Sequence, residues 1–165
     1  LCQGILNQKI KALIVSIREV RSNDIDSFVE LYTESYKGLE EYAYTDEDYI
    51  REYFSWLLSR DPEGFLIAEL DEPVGFVSCD ANWFSNFEKV ILGELHEIFV
   101  HPKYRGYGIG SALISRAMNH AVSKGRKIMG LWVGAKNFHA REFYRKKGFA
   151  ETISVGKWIR MIKKL

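Results

Sequence analysis

The stretch from Glu94 to Ser123, ELHEIFVHPKYRGYGIGSALISRAMNHAVS, constrains this chain more than any other. An apolar run of strand composition ends at Val100, a short loop passes through Pro102, and Arg105-Gly106-Tyr107-Gly108-Ile109-Gly110 opens directly into a helical pattern. Glycines let the backbone approach a ligand closely, and the first N–H groups of a helix have no intrahelical partner. Together with the positive end of the helix dipole they make an anion site. The order of strand, glycine turn and helix therefore predicts an α/β domain with a phosphate-binding loop.

Two familiar phosphate loops fail on this sequence. A P-loop needs Lys after its last glycine, and Ser111 follows Gly110. In the dinucleotide pattern the third glycine would fall on Ser111, and the acid due after a second strand is missing, since Lys127 to Arg141 contains no Asp or Glu. What is present is R-x-x-G-x-G behind a strand that ends V-x-P. Further on, Asn137, Ala140, Phe143-Tyr144 and Gly148-Phe149 fit N-x-x-A-x-x-[FL]-Y-x-x-x-G-F.

On these two segments, which span about Glu94 to Thr152, the chain resembles the GNAT superfamily of N-acetyltransferases. The resemblance implies that the glycine loop cradles the pyrophosphate of acetyl-CoA. It assigns cofactor contacts to Ile98, Phe99 and Val100 on the strand, to Arg105, Gly106, Tyr107 (through its backbone N–H), Gly108, Ile109, Gly110 and Ser111 in the loop, and to Asn137, Tyr144 and Lys147 downstream.

The remaining segments are placed by periodicity. Leu13 to Val20 is rich in β-formers and reads as a first strand. Asn23 is a candidate cap for a helix with an apolar stripe from Ile25 to Tyr36, closed at Gly38. Thr45 is a candidate cap for a second helix, with Tyr49, Tyr53, Trp56 and Leu57 at helical spacing, stopped by Asp61-Pro62-Glu63-Gly64. Phe65 to Leu70 and Val74 to Trp83 read as an antiparallel hairpin, and Val90 to Val100 is the central strand. A helix from Ile109 to Gly125, a strand Lys127 to Val133, a short helix Phe138 to Lys147 and strands Phe149 to Val155 and Lys157 to Lys163 complete the chain. The order β-α-α-β-β-β-α-β-α-β-β predicts a mixed, mostly antiparallel sheet of about seven strands with four helices, the fold that the resemblance implies. Residues 1–12 read as an extension ahead of one domain, 13–165.

Within Glu94 to Val100 the alternation slips, because Leu95 and Ile98 are three residues apart, and one extra residue is the mark of a β-bulge. In the resembled family this bulge splays the central strand from its parallel neighbour, here Lys127 to Val133, and the pantetheine arm pairs with Ile98 and Val100 in the gap. Attack by an amine needs a proton acceptor, and Glu97, His96 and Glu94 all lie near the slip. Glu97 is the first choice because it sits at the irregularity, and His96 the second for its intrinsic pKa. Tyr144 reads as a core aromatic by spacing, whereas in the family the matching tyrosine protonates the leaving thiolate. Asn137 reads as a helix cap, and Arg105 as either a surface arginine or a phosphate partner.

A net charge of +1 gives no general reason to expect nucleic acid as a partner, and no segment is long and apolar enough to span a membrane. Cys2 and Cys79 are far apart and unpaired by pattern, which points to a reducing, cytoplasmic setting and away from a covalent acyl-cysteine. No His or Cys spacing suggests a metal. The expected activity is direct acetyl transfer from acetyl-CoA to a small-molecule or peptide amine, with an acyl-CoA sensor on the same fold as the alternative, and a homodimer is left open. Tyr36 to Asp48 carries Glu40, Glu41, Asp46, Glu47 and Asp48 among Tyr36, Tyr42 and Tyr44. In the resembled family this region walls the acceptor site, so the composition predicts a cationic acceptor: a polyamine, a lysine side chain or a basic peptide.

Overall fold

The computed structural model describes residues 15–165. The expected extension at 1–12 and the start of the first strand, Leu13 and Ile14, lie outside the described residues. The elements are β1 (Ser16–Glu19), α1 (Ile25–Ser35), α2 (Glu47–Arg60), β2 (Phe65–Glu69), β3 (Pro73–Ser85), β4 (Val90–Val100), α3 (Ile109–Ser123), β5 (Ile128–Gly134), α4 (Phe138–Lys146), β6 (Ala150–Val155) and β7 (Trp158–Lys164). They form one seven-stranded sheet in the order β1-β2-β3-β4-β5-β7-β6. Every neighbouring pair is antiparallel except β4 with β5.

Helices cover both faces, so the inner strands read as continuous apolar runs in place of alternating ones. On one face α1 and α2 enclose Phe28, whose ring centroid lies 5.2 to 5.9 Å from those of Tyr32, Phe54, Phe65, Phe76 and Phe99. On the other, Ile109, Leu113, Ile114 and Ala117 of α3 pack with Tyr144 and Phe149 over Leu66, Val77, Leu95 and Leu131. The small Ala117 and Ala121 let α3 lie close to the sheet, and Gly93 continues this: a Cβ there would sit 2.8 Å from that of Ala121.

Two helix starts differ from the expected ones. The chain enters α1 through a 3₁₀ turn, Ser22–Asp24, in which Asp24 and not Asn23 provides the acceptor, for the N–H of Arg21 at 2.7 Å. Arg18 holds the Asp24 carboxylate from the sheet side at 2.8 Å, a second partner that Asn23 lacks. At α2 the cap is Asp46, accepting from the N–H of Asp48 at 2.9 Å, in place of Thr45 one residue earlier. Among the described residues no helix is long and apolar enough to cross a membrane.

Candidate active site

The register of β3 on β4 places the irregularity. Ser78 faces Glu97 and Cys79 faces Leu95, so His96 is the inserted residue. The bulge resets the alternation: Leu95 stays in the core under α3, while His96, Glu97 and Phe99 all serve the face under α1 and α2. The parallel ladder from β4 to β5 joins only Gly93–Leu95 with Met129–Leu131. Beyond Leu95 the two strands part, and a cavity of about 1030 Å³ opens through the gap. Its walls include Ile98, Phe99, Val100, Asn137 and Tyr144.

The glycine loop closes one end of this cavity. Gly106 and Gly108 have φ of +80° and +83°, which a residue with a Cβ adopts at a cost of about 1–2 kcal/mol. A Cβ on either would meet nothing within 4 Å, so the backbone is open to an incoming ligand. Gly108 is the N-cap of α3 and brings no side-chain acceptor, which leaves the first N–H groups of that helix without a capping partner among the described residues. Gly106, Gly108, Ile109, Gly110 and Ser111 line the cavity, while Tyr107 and Lys147 do not. Tyr107 packs against the core beneath α3, and the Lys147 ammonium lies 5.6 Å from the Phe143 ring centroid. Arg105 also borders the cavity, with its guanidinium turned to backbone: Nε donates to Val100 O at 3.2 Å and Nη2 to Ser35 O at 3.0 Å. It fastens the loop to the ends of β4 and α1.

Three acid–base candidates converge from β4 and take different environments. Glu97 is buried and accepts a hydrogen bond from the Tyr36 hydroxyl at 2.5 Å. Burial pushes its carboxyl up to about 7, against the opposing pull of the Tyr36 and Tyr53 hydroxyls and the Ile98 N–H. Glu94 is committed elsewhere: its Oε1 accepts from Arg160 Nη1 at 2.6 Å, and its Oε2 is buried without a hydrogen-bond partner among the described residues. Burial raises the Glu94 pKa, with Arg160 pulling the other way. His96 lies between Trp56 and Trp83, with ring centroids 4.8 and 4.9 Å away, and its Nε2 is 3.4 Å from Asp80 Oδ2. Asp80 is already held by Arg60 at 2.7 Å, so His96 completes a structural network.

From α4, Tyr144 reaches the same cavity with its ring packed on Phe143 and Phe149. Burial first, and the negative charge of Glu97 second, raise its phenol well above the ordinary value. The hydroxyl is therefore held protonated, as a proton donor must be. Asn137 caps α4, its Oδ1 accepting from Ala140 N at 3.3 Å, and lines the cavity as well. Cys79 is buried, and burial pushes its thiol up, opposite to what a nucleophile requires.

The family model described as Acetyltransferase (GNAT) family matches residues 25–149, which includes both the glycine loop and α4. The chain belongs to the acetyltransferase (GNAT) family. An uncharacterized N-acetyltransferase of Archaeoglobus fulgidus is 49% identical over 143 residues, which cover 86% of this chain and 97% of that protein. The crystal structure of PH1933 from Pyrococcus horikoshii superposes with a TM-score of 0.84 at 35% identity, over 92% of this chain and 98% of that one. A PaiA N-acetyltransferase from Thermoplasma acidophilum, solved in complex with coenzyme A, gives 0.74 at 26% identity over 92% and 99%. This GNAT enzyme thus has the mixed sheet and four helices of its relatives.

The acidic connection between α1 and α2 of the acetyltransferase does less at the cavity than its composition suggests. Of the five acids between Tyr36 and the first turn of α2 only Glu41 lines the wall. Glu40 accepts from Gly38 N at 2.9 Å, Asp46 caps α2, and Glu47 pairs with Arg51 at 2.9 Å. The aromatics carry the wall: Tyr36, Tyr42 and Tyr44 all face the cavity. Tyr42 pins the connection to the sheet, accepting from Lys136 N at 3.0 Å and lying flat enough on Gly134 that a Cβ there would be 2.6 Å from its ring. Lys157, in the turn between β6 and β7, donates to the Glu41 carbonyl and completes a roof.

Sequence reasoning missed the partners of the acids. Tyr53 belongs to an apolar helical stripe and reads as core, yet its hydroxyl reaches the bulge, donating to His96 O at 3.2 Å. Arg160 lies in a strand pattern that gives no sign of a buried arginine. Its signal is indirect, in Gly130 across the β5–β7 pair: a Cβ there would be 2.3 Å from the guanidinium.

Proposed function

We propose that this enzyme transfers the acetyl group of acetyl-CoA to a primary, cationic amine by direct attack in a ternary complex, with Glu97 as general base and Tyr144 as general acid. One observation carries the reading: a carboxyl with its pKa near 7 and a protonated phenol share a cavity that opens where β4 and β5 separate and ends at an uncapped glycine loop. The separation and the open glycines fit an elongated, phosphate-bearing ligand. Coenzyme A would be held by the loop N–H groups from Gly106 to Ser111 and by the unpaired part of β4 at Ile98 and Val100. In its acetylated form it would supply the activated acetyl thioester.

The protein's own groups then divide the proton transfers. Glu97 takes a proton from the acceptor ammonium, freeing the nitrogen lone pair for attack on the acetyl carbon. As the carbon–sulfur bond breaks, Tyr144 gives its hydroxyl proton to the departing sulfur, the second proton lost by the nitrogen restores the phenol, and the proton held on Glu97 leaves to solvent. Backbone N–H groups of the bulged strand favour the charge that develops on the carbonyl oxygen. Around the acceptor, Tyr36, Tyr42, Tyr44 and Tyr53 offer aromatic faces beside Glu41 and Glu97, which suits an ammonium group.

Coenzyme A is expected to raise the melting temperature by about 5–10 °C when present at about a hundredfold excess over Kd, since ligand bound to the folded state contributes roughly 2.7 kcal/mol there. Gly108→Val places a branched side chain at φ +83°, in the path of the diphosphate, and should abolish the shift. Differential scanning calorimetry checks both. A wild-type melt indifferent to coenzyme A, or an undiminished shift in Gly108→Val, contradicts the assignment of the loop.

A further inference from the structure

Beside the main cavity lies a second cleft of about 480 Å³, lined by Tyr44, Tyr49, Glu52, Tyr53, Trp56 and His96. Tyr44, Tyr53 and His96 belong to both, so the two spaces adjoin across the Tyr53 ring. The rings form a continuous wall: centroids are 6.5 Å apart for Tyr44 and Tyr49, 5.3 Å for Tyr44 and Tyr53, 6.1 Å for Tyr53 and Trp56, and 4.8 Å for Trp56 and His96. Tyr44 and Tyr49 are 50% and 59% exposed, a costly display of large aromatic surface that packing within the fold does not explain.

Glu52 is the one acid of this lining. It has no hydrogen bond or ion pair among the described residues, whereas its neighbour Arg51 is taken up by Asp26 and Glu47. Along the same wall, the Arg60 guanidinium lies 5.4 Å from the centroid of Trp83, which in turn packs on Trp56, so the wall already accepts a cation at its far end. Aromatic faces with a free carboxylate are complementary to an alkylammonium group, and the carboxylate disfavours an anion.

We propose that this cleft binds a second cationic group of the acceptor, an alkylammonium arm several bonds from the amine that is acetylated. The inference rests on the placement of the reacting amine at Glu97, and it makes the enzyme selective for acceptors with two or more positive charges. The arm is either the far ammonium of a polyamine or a lysine side chain of a peptide.

Equilibrium binding without acetyl-CoA tests the cleft separately from catalysis. Spermidine, an unblocked Ala-Lys-Ala peptide and n-butylamine are titrated by calorimetry against the wild type, Glu52→Gln and Tyr49→Ala, both on the exposed face of α2. The Kd of spermidine or of the peptide is expected to rise about three- to tenfold in each variant and that of n-butylamine to stay unchanged, with the difference shrinking at high salt. A rise confined to spermidine identifies the arm as a polyamine's, and one confined to the peptide as a lysine's. Equal effects on n-butylamine, or none on either polycation, overturn the proposal. Should no amine be acetylated at all, the placement at Glu97 fails while these binding constants still report on the cleft.

Discussion

Replacing Glu97 with glutamine is expected to lower kcat/KM for the acceptor amine by about 10²–10⁴, the usual reach of a positioned base. The reason lies in the proton affinity that burial creates. An alkylammonium near pKa 10.4 is about six units above an ordinary carboxylate, so proton transfer to a solvated glutamate is strongly uphill. With Glu97 at about 7 the gap falls to about three units, a change of roughly 3 kcal/mol. The base must be ionised to work, so wild-type kcat/KM should climb with pH and bend over near 7, and in Glu97→Gln that bend should vanish, leaving only the climb of the free-amine fraction toward the acceptor's own pKa. Stability moves the opposite way. Because folding raises the Glu97 pKa from 4.5 to about 7, its contribution is most favourable below pH 4.5 and is lost as pH rises through 7. Glutamine removes that loss while still accepting from Tyr36, so at pH 8 the variant should melt no lower than the wild type. Calorimetry alongside the pH–rate profile separates lost chemistry from lost fold.

Tyr144→Phe is expected to reduce kcat by about ten- to a thousandfold and to leave coenzyme A affinity nearly unchanged. Phenylalanine keeps the ring contacts with Phe143 and Phe149, and among the described residues the hydroxyl it deletes makes no hydrogen bond that folding would miss. The leaving thiolate would then depart without a proton donor. Acceptors whose attack is faster should show the defect more strongly, since expulsion of sulfur becomes the slower event. An unchanged kcat with full coenzyme A binding would reduce Tyr144 to a packing residue.

Local signals made most of this architecture readable. Glycines with positive φ, the loss of alternation at Leu95 to Ile98 and the helix stops at Gly125 and Gly148 are each properties of a few consecutive residues, and each appears where its pattern predicts. Boundaries moved where a distant side chain intervened: Asp24 displaces Asn23 as the cap because Arg18, on the neighbouring strand, holds its carboxylate. The residue types gathered at the candidate site were legible, but not the different surroundings of each. Glu94, His96 and Glu97 look alike in sequence, and what separates them comes from three different places in the fold: Arg160 on β7 for Glu94, Asp80 on β3 for His96, and Tyr36 at the C-cap of α1 for Glu97. For the acids of Tyr36 to Asp48, composition records their charge and not that Glu40 and Asp46 spend theirs on backbone N–H groups.

Release of coenzyme A thiol on mixing the wild-type protein with acetyl-CoA and a panel of primary amines, followed with a thiol-reactive dye and matched to acetylated product by mass spectrometry, tests the central claim most directly. Thiol release should depend on the amine, match N-acetyl product one to one, and be fastest with acceptors carrying an additional positive charge. Coenzyme A binding with no amine-dependent thiol release across the panel would contradict it and leave the fold as a binder of the cofactor alone.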